Sequence, residues 1–283
     1  MSQTLKVERK GHVLCIGLNR PEKYNAMDVE LYLALADAYG ELQRDDELRC
    51  GLLYGEGQHF CAGLELDKWG PQFANGSIPE LRPGACDPFG LDPGRRVAKP
   101  MVVAARGICF TAALELMLAA DVRVAADDAR FGQIEVKRGI YAVGGATIRF
   151  VQNIGWGNSM RYLLTGDEFG ASEAHRMGLV QEVTAPGQEF AVALGIAERI
   201  ARQAPLGVRA TLASARLGPG RGRGGGRAAP AAGPAAADGQ RGRQGRRGLL
   251  PRAPRGELRR SLAAAAVRRR LRLASSLCAA PRW

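Results

Sequence analysis

Through its first 217 residues the chain alternates short apolar runs of strand length with longer runs of helical period, and this alternation restricts its folds most. Residues 5–7 and 13–18 read as strands turning at Lys10-Gly11, and Pro21 ends the second. Asp28 is placed to cap a helix in which Leu31, Leu35, Ala38 and Leu42 recur to about Arg44. Residues 50–54 read as a strand, and 60–69 as a loop passing into a short helix. Residues 70–98, rich in Pro and Gly, predict a long surface loop that orders over a site. A strand over 101–105, a turn over 107–110, a buried helix over 112–120 and a strand over 121–125 follow. Helices are expected near 145–153, 159–164 and 172–177, a strand over 179–183, an amphipathic helix over 190–202 and another from Pro205. Strands alternating with helices predict an α/β layered domain with helical additions.

Charge divides the chain in two. The formal net charge is +12, yet residues 218–283 hold sixteen arginines against one aspartate and one glutamate. The first 217 residues are near neutral, so the basic pI does not make the body a nucleic-acid binder. The expected organisation is a core over 1–204, the start of a C-terminal helical region over 205–217, and an Arg/Gly/Ala-rich tail over 218–283. The glycines and prolines that open the tail oppose a helix. Three readings of it stay open: natural disorder, an arginine-glycine nucleic-acid segment, and a stretch read out of its coding frame. Residues 262–277 have the composition of a basic helix. Six scattered cysteines without a CxxC pair predict buried free thiols in a reducing compartment. No apolar leader and no run of 18 uncharged apolar residues is visible, so a cytoplasmic protein without a membrane span is expected.

The chemistry concentrates in three small-residue loops. Cys61-Ala62-Gly63-Leu64 is one; Thr111-Ala112-Ala113-Leu114-Glu115 and Phe131-Gly132-Gln133-Ile134-Glu135 each lead to a glutamate. Gly63 lets the chain turn the Leu64 amide inward, and Ala112 lies at a helix start where amides lack internal partners. Two such amides aimed at one oxygen would form an oxyanion hole, and two carboxylates beside it could move protons. Glu115 also reads as a satisfied first-turn carboxylate, and Glu135 as a surface glutamate paired with Lys137 or Arg138. Dinucleotide, P-loop and zinc-ligand patterns are absent from the sequence.

At these residues the chain resembles the enoyl-CoA hydratase/isomerase family, the crotonases. The matching stretches are Asn19-Arg20-Pro21 with Asn25-Ala26-Met27, Phe60 through Leu66, Lys99-Pro100 through Leu116, and Ala119-Ala120-Asp121. Ala129 through Glu135, Gly144-Gly145-Ala146, Leu164-Thr165-Gly166 and Ala174 through Val180 continue the match in the family's order. The resemblance implies a crotonase-like ββα-repeat spiral core with a C-terminal helical region. It implies a lyase adding water across the 2,3 double bond of a 2-enoyl-CoA thioester. Glu115 and Glu135 would be catalytic, with the Leu64 and Ala112 amides as oxyanion hole. Lys23, Arg20, Ala62, Gly63 and Leu66 would meet coenzyme A, which arrives on the substrate, with no separate cofactor and no metal. Phe110, Ile134, Ile140 and Tyr141 would line the acyl pocket; each also reads as ordinary core. A homotrimer or dimer of trimers is implied where the C-terminus permits it. Another crotonase reaction, isomerisation or decarboxylation, and a non-catalytic or RNA-binding member are the alternatives. Family hydratases carry glycines where this chain has Thr111, Ala112 and Ala113, and Pro-Gly where it has Tyr141-Ala142. These departures predict an altered acyl pocket.

Overall fold

Strand β2 (Val13–Leu18) is buried at each of its six positions, because both faces of its sheet are covered. Leu14, Ile16 and Leu18 face the main core, whereas Val13 and Cys15 face a second apolar cluster on the opposite side. The structure, a computed structural model, describes residues 4–217. The expectations for the 218–283 tail, including a basic helix over 262–277, lie outside the described residues.

β1 (Leu5–Lys10) pairs antiparallel with β2. Helix α1 (Val29–Arg44) follows, and Asp28 caps it by accepting from the Leu31 amide at 2.8 Å, a contribution of about 1 kcal/mol. Next come β3 (Cys50–Gly55), α2 (Leu66–Ala74), β4 (Met101–Ala105), β5 (Ile108–Phe110), α3 (Ala112–Ala119), β6 (Val122–Ala126) and β7 (Arg130–Gly132). A 3-10 turn (Ile134–Arg138) leads to α4 (Ala146–Thr165), β8 (Phe169–Gly170), α5 (Ala171–Arg176), β9 (Glu182–Thr184), α6 (Glu189–Ala201) and α7 (Pro205–Arg216).

The larger sheet runs β1-β2-β3-β4-β6-β9 and is parallel beyond its first pair. Helix α6 covers its outer face with Ala193, Ile196, Ala197 and Ala201; α1 and α3 pack in the core on its inner face. The smaller sheet runs β5-β7-β8, and Cys61 extends it by a parallel bridge to Cys109. Three passages therefore share one plan: a strand in the large sheet, a short stretch in the small one, then a helix. They are β3–Cys61–α2, β4–β5–α3 and β6–β7–α4. This is the ββα spiral with a C-terminal helical region that the sequence implied.

Some elements correct the sequence reading. Residues 108–110, expected within a turn, form β5, which bonds to Cys61 on one side and β7 on the other. The two helices expected over 145–153 and 159–164 are present as the two arms of α4, separated by non-helical Gly155 (φ 76°, ψ 167°). The strand expected from residue 179 starts at Glu182, after buried Leu179 and Val180. The surface loop expected over 70–98 starts only after α2, which takes in residues 70–74, and it does not lie wholly on the surface: Leu81, Ala85, Cys86 and Val97 are buried in the main core. Buried Asp87 organises the segment by accepting from the amides of Phe89 (2.9 Å), Leu91 (2.7 Å) and Asp92 (3.2 Å). Among the described residues no helix is long and apolar enough to cross a membrane.

Candidate active site

The ends of the three small-sheet segments lie side by side, and each is followed by a chemically interesting loop. The Cys61 amide donates to Ile108 O (3.1 Å), the Phe110 amide to Cys61 O (3.2 Å) and the Thr111 amide to Gly132 O (2.8 Å). These bonds lock Gly63-Leu64, Thr111-Ala112 and Gln133–Glu135 against one another. Parallel strands gather their following loops at one edge, where an α/β fold places its sites.

The Leu64 amide is oriented by pairing. Leu64 bridges Met27, with Met27 N–H donating to Gly63 O (2.7 Å) and Glu65 N–H donating to Met27 O (3.0 Å). In such a parallel bridge the middle residue's own N–H points to the other side. The Ala112 amide opens α3, where no intrahelical acceptor exists. Among the described residues neither amide donates to a backbone carbonyl, and both residues line one cavity of about 780 Å³. Thr111, just before Ala112, holds φ 52° and ψ −120°, a conformation suited to glycine. For a β-branched residue it costs roughly 1–3 kcal/mol.

Glu115 and Glu135 open onto the same cavity, and both are buried. Glu115 sits one turn into α3 and accepts from the Ala146 amide at 3.0 Å. Gly144 lies so close that a Cβ there would stand 2.5 Å from Glu115 Oε2. Burial pushes the Glu115 carboxyl up to about 7, although the Ala146, Gly144 and Gly145 amides and Arg149 favour its charged form. Glu135 rides on the 3-10 turn and is not the surface glutamate that was one of its readings. Burial first, and then the negative charge of Glu115, push it up to about 8. Gln133 Nε2 reaches its Oε1 at 3.4 Å, while its Oε2 is buried with no hydrogen-bond partner among the described residues.

Phe110, Ile134, Ile140 and Tyr141 all line the cavity, as do Ala62 and Leu66, and buried Gly63 flanks it. Lys23 is exposed and outside the lining. Arg20 does not match its expected role. Its guanidinium is mostly buried against Asp28 (3.1 Å) and Glu65 (2.8 Å) and donates to Ala26 O, so it fastens the loop before α1. Sequence reading missed Arg138, Phe73 and Val143 in the wall, and the cradle that Gly144–Ala146 builds around Glu115. The Gly144-Gly145-Ala146 motif was visible; its function as a carboxylate cradle depends on α4 packing beside α3. A smaller bay of about 70 Å³ adjoins Ala112 and Glu115, walled by Tyr32, Trp69, Phe73 and Phe89.

Comparison with known proteins decides the family. The enoyl-CoA hydratase/isomerase family profile matches residues 8–216. This chain belongs to that family. It is similar to an enoyl-CoA hydratase of Mycobacterium tuberculosis, EchA19, with 36% identity covering 74% of this chain and 79% of the relative. A Thauera aromatica protein, (E)-benzylidenesuccinyl-CoA hydratase, is 35% identical over 77% of this chain and 83% of its own. The crystal structure of a "probable enoyl-CoA hydratase/isomerase" from Mycobacterium abscessus superposes with a TM-score of 0.73. It is 50% identical, covering 76% of this chain and 82% of that one. The chain is therefore a crotonase-type enzyme acting on acyl-CoA. Relatives named for hydratase, isomerase and dehydratase activities surround it.

Proposed function

We propose that this enzyme adds water across the 2,3 double bond of a 2-enoyl-CoA thioester, and removes it in the reverse direction. One observation carries the reading: two buried carboxyls, both raised toward neutrality, line one cavity with Leu64 and Ala112, whose amides donate to no backbone carbonyl among the described residues. The thioester oxygen accepts from the Leu64 and Ala112 amides, which draws electrons from C3. Water held at Glu115 attacks C3 as that carboxylate takes its proton. Charge collects on the thioester oxygen as an enolate, where the amides and the α3 dipole meet it. Protonated Glu135 then delivers a proton to C2, and proton transfer between the two glutamates resets the pair. Carboxyls with pKa values near neutrality suit both directions of this traffic.

Ala62, Gly63 and Leu66 border the coenzyme A entry, and exposed Lys23 is available to its phosphates. The aromatic bay beside Glu115 gives the acyl group an apolar recess, and Phe89 and Leu91 from the 75–98 segment help to wall it. The five described cysteines are free and buried, as a reducing cytoplasmic compartment allows. A homotrimer or pair of trimers belongs to the same reading, and exposed Trp156 and Leu164 offer apolar surface for it; light scattering measures the mass. A panel of 2-enoyl-CoA thioesters tests the reaction. Loss of the conjugated thioester absorbance with a mass gain of one water supports hydration. Migration of the double bond without water, or loss of carbon dioxide, would replace it by another crotonase reaction.

A further inference from the structure

Thr111 occupies its place at a cost. Its φ of 52° and ψ of −120° fall where side-chain-bearing residues are outliers, and a glycine would sit there without strain. It is the N-cap residue of α3, a position where threonine ordinarily accepts a hydrogen bond from the first turn, yet it makes no side-chain cap. The hydroxyl is turned elsewhere. It stands against Gly63, where a Cβ would come within 1.9 Å of Thr111 Oγ1, and Gly63 itself holds φ +100°. Each of the two loops is thus shaped around this one oxygen. Among the described residues the hydroxyl makes no hydrogen bond to the protein. Thr111 lines the main cavity together with Leu64 and Ala112. Its oxygen is carried by the residue before Ala112 and touches the residue before Leu64, one residue from each inward amide.

We propose that the Thr111 hydroxyl is a third hydrogen-bond donor to the thioester oxygen, beside the Leu64 and Ala112 amides. The inference rests on the acyl-CoA reaction proposed above and adds a side-chain donor to its backbone pair. A hydroxyl that accepts no cap and donates to no protein group among the described residues keeps its proton for the substrate. The bond from the Thr111 amide to Gly132 O and the packing against Gly63 enforce the strained conformation and fix the donor before charge develops, so little reorganisation is needed when the enolate forms. The methyl of Thr111 narrows the thioester site at the same time, and an enzyme with glycine there would have neither the hydroxyl nor the strain.

Three variants and two readouts test this. Thr111→Ser keeps the hydroxyl and should hold kcat within about threefold. Thr111→Val and Thr111→Gly remove it and should lower kcat by roughly ten- to a hundredfold with KM little changed, as loss of one donor does. Thr111→Gly should also melt at a higher temperature than the parent, so its loss of rate is not loss of fold. In the infrared, the thioester carbonyl of a bound saturated acyl-CoA should shift less in Thr111→Gly than in the parent. A Thr111→Gly enzyme with parental kcat and parental carbonyl shift would overturn the proposal. If the parent turns over no enoyl thioester, the hydration reading falls instead, and the carbonyl shift still decides whether Thr111 donates.

Discussion

Glu115 grows from a packed helix and is met by an amide at 3.0 Å, with Gly144 closed against its other oxygen. Glu135 grows from a single 3-10 turn, holds Gln133 only at 3.4 Å, and among the described residues keeps Oε2 without a partner. Burial raises both, but different groups oppose the rise. Several backbone amides and Arg149 pull Glu115 back toward its charged form, whereas at Glu135 the charge of Glu115 adds to the rise and only its own amide and Arg138 oppose it. A carboxylate gripped by donors is suited to fix a water, and a protonated carboxyl with a spare oxygen is suited to hand over its proton. The division of labour follows from the surroundings of the two residues, which are identical in chemistry.

The comparison can be broken most sharply at Glu135. Glu135→Gln should lower kcat by about a thousandfold or more with KM changed less than about threefold, measured by steady-state hydration. A parental kcat would remove Glu135 from proton transfer. Gly144→Ala attacks the other side, because its methyl would stand 2.5 Å from Glu115 Oε2. The displaced carboxylate should cost roughly a hundredfold in kcat while coenzyme A binding, read by calorimetry, is retained.

Glu115→Gln carries a stability signature with a definite sign. The folded carboxyl ionises near 7, above its ordinary value of 4.5, so the fold disfavours the charged form. Its contribution is fully present below the unfolded pKa and is lost as the pH rises through about 7. The variant should match the parent in melting temperature near pH 4.5 and melt higher near pH 8.5, by up to about 3 kcal/mol of stability. Equal melting at both pH values would mean that Glu115 is not held in a penalised state. The smallest effect is expected at Gln133, whose long contact supports Glu135 weakly. Gln133→Leu should slow kcat by a fewfold and move the upper limb of the pH profile further up.

Much of this was legible beforehand, for physical reasons. The Asp28 cap, the spacing of Leu31, Leu35 and Leu42, and the double-faced apolarity of residues 13–18 are local signals. The glutamates and the Gly63 and Ala112 loops were visible as small-residue turns in apolar surroundings. What stayed hidden depends on contacts distant in sequence. β5 and β7 have three residues each, too few for a period, and exist because they pair with each other and with Cys61. The 75–98 segment has no periodicity, yet Asp87 folds it inward through three amides. Arg20 looked free because neither Asp28 nor Glu65 announces itself as its partner in sequence. The cost at Thr111 is a backbone angle that residue identity alone does not display.

Hydration of a 2-enoyl-CoA in D₂O enriched in ¹⁸O tests the central claim most directly. Two carboxyls serving opposite ends of one double bond should yield a 3-hydroxyacyl-CoA with ¹⁸O on C3 and one deuterium on C2, and Glu135→Gln should make almost none. A product lacking ¹⁸O with its double bond moved, or equal label incorporation by Glu135→Gln, would contradict the assignment of the pair.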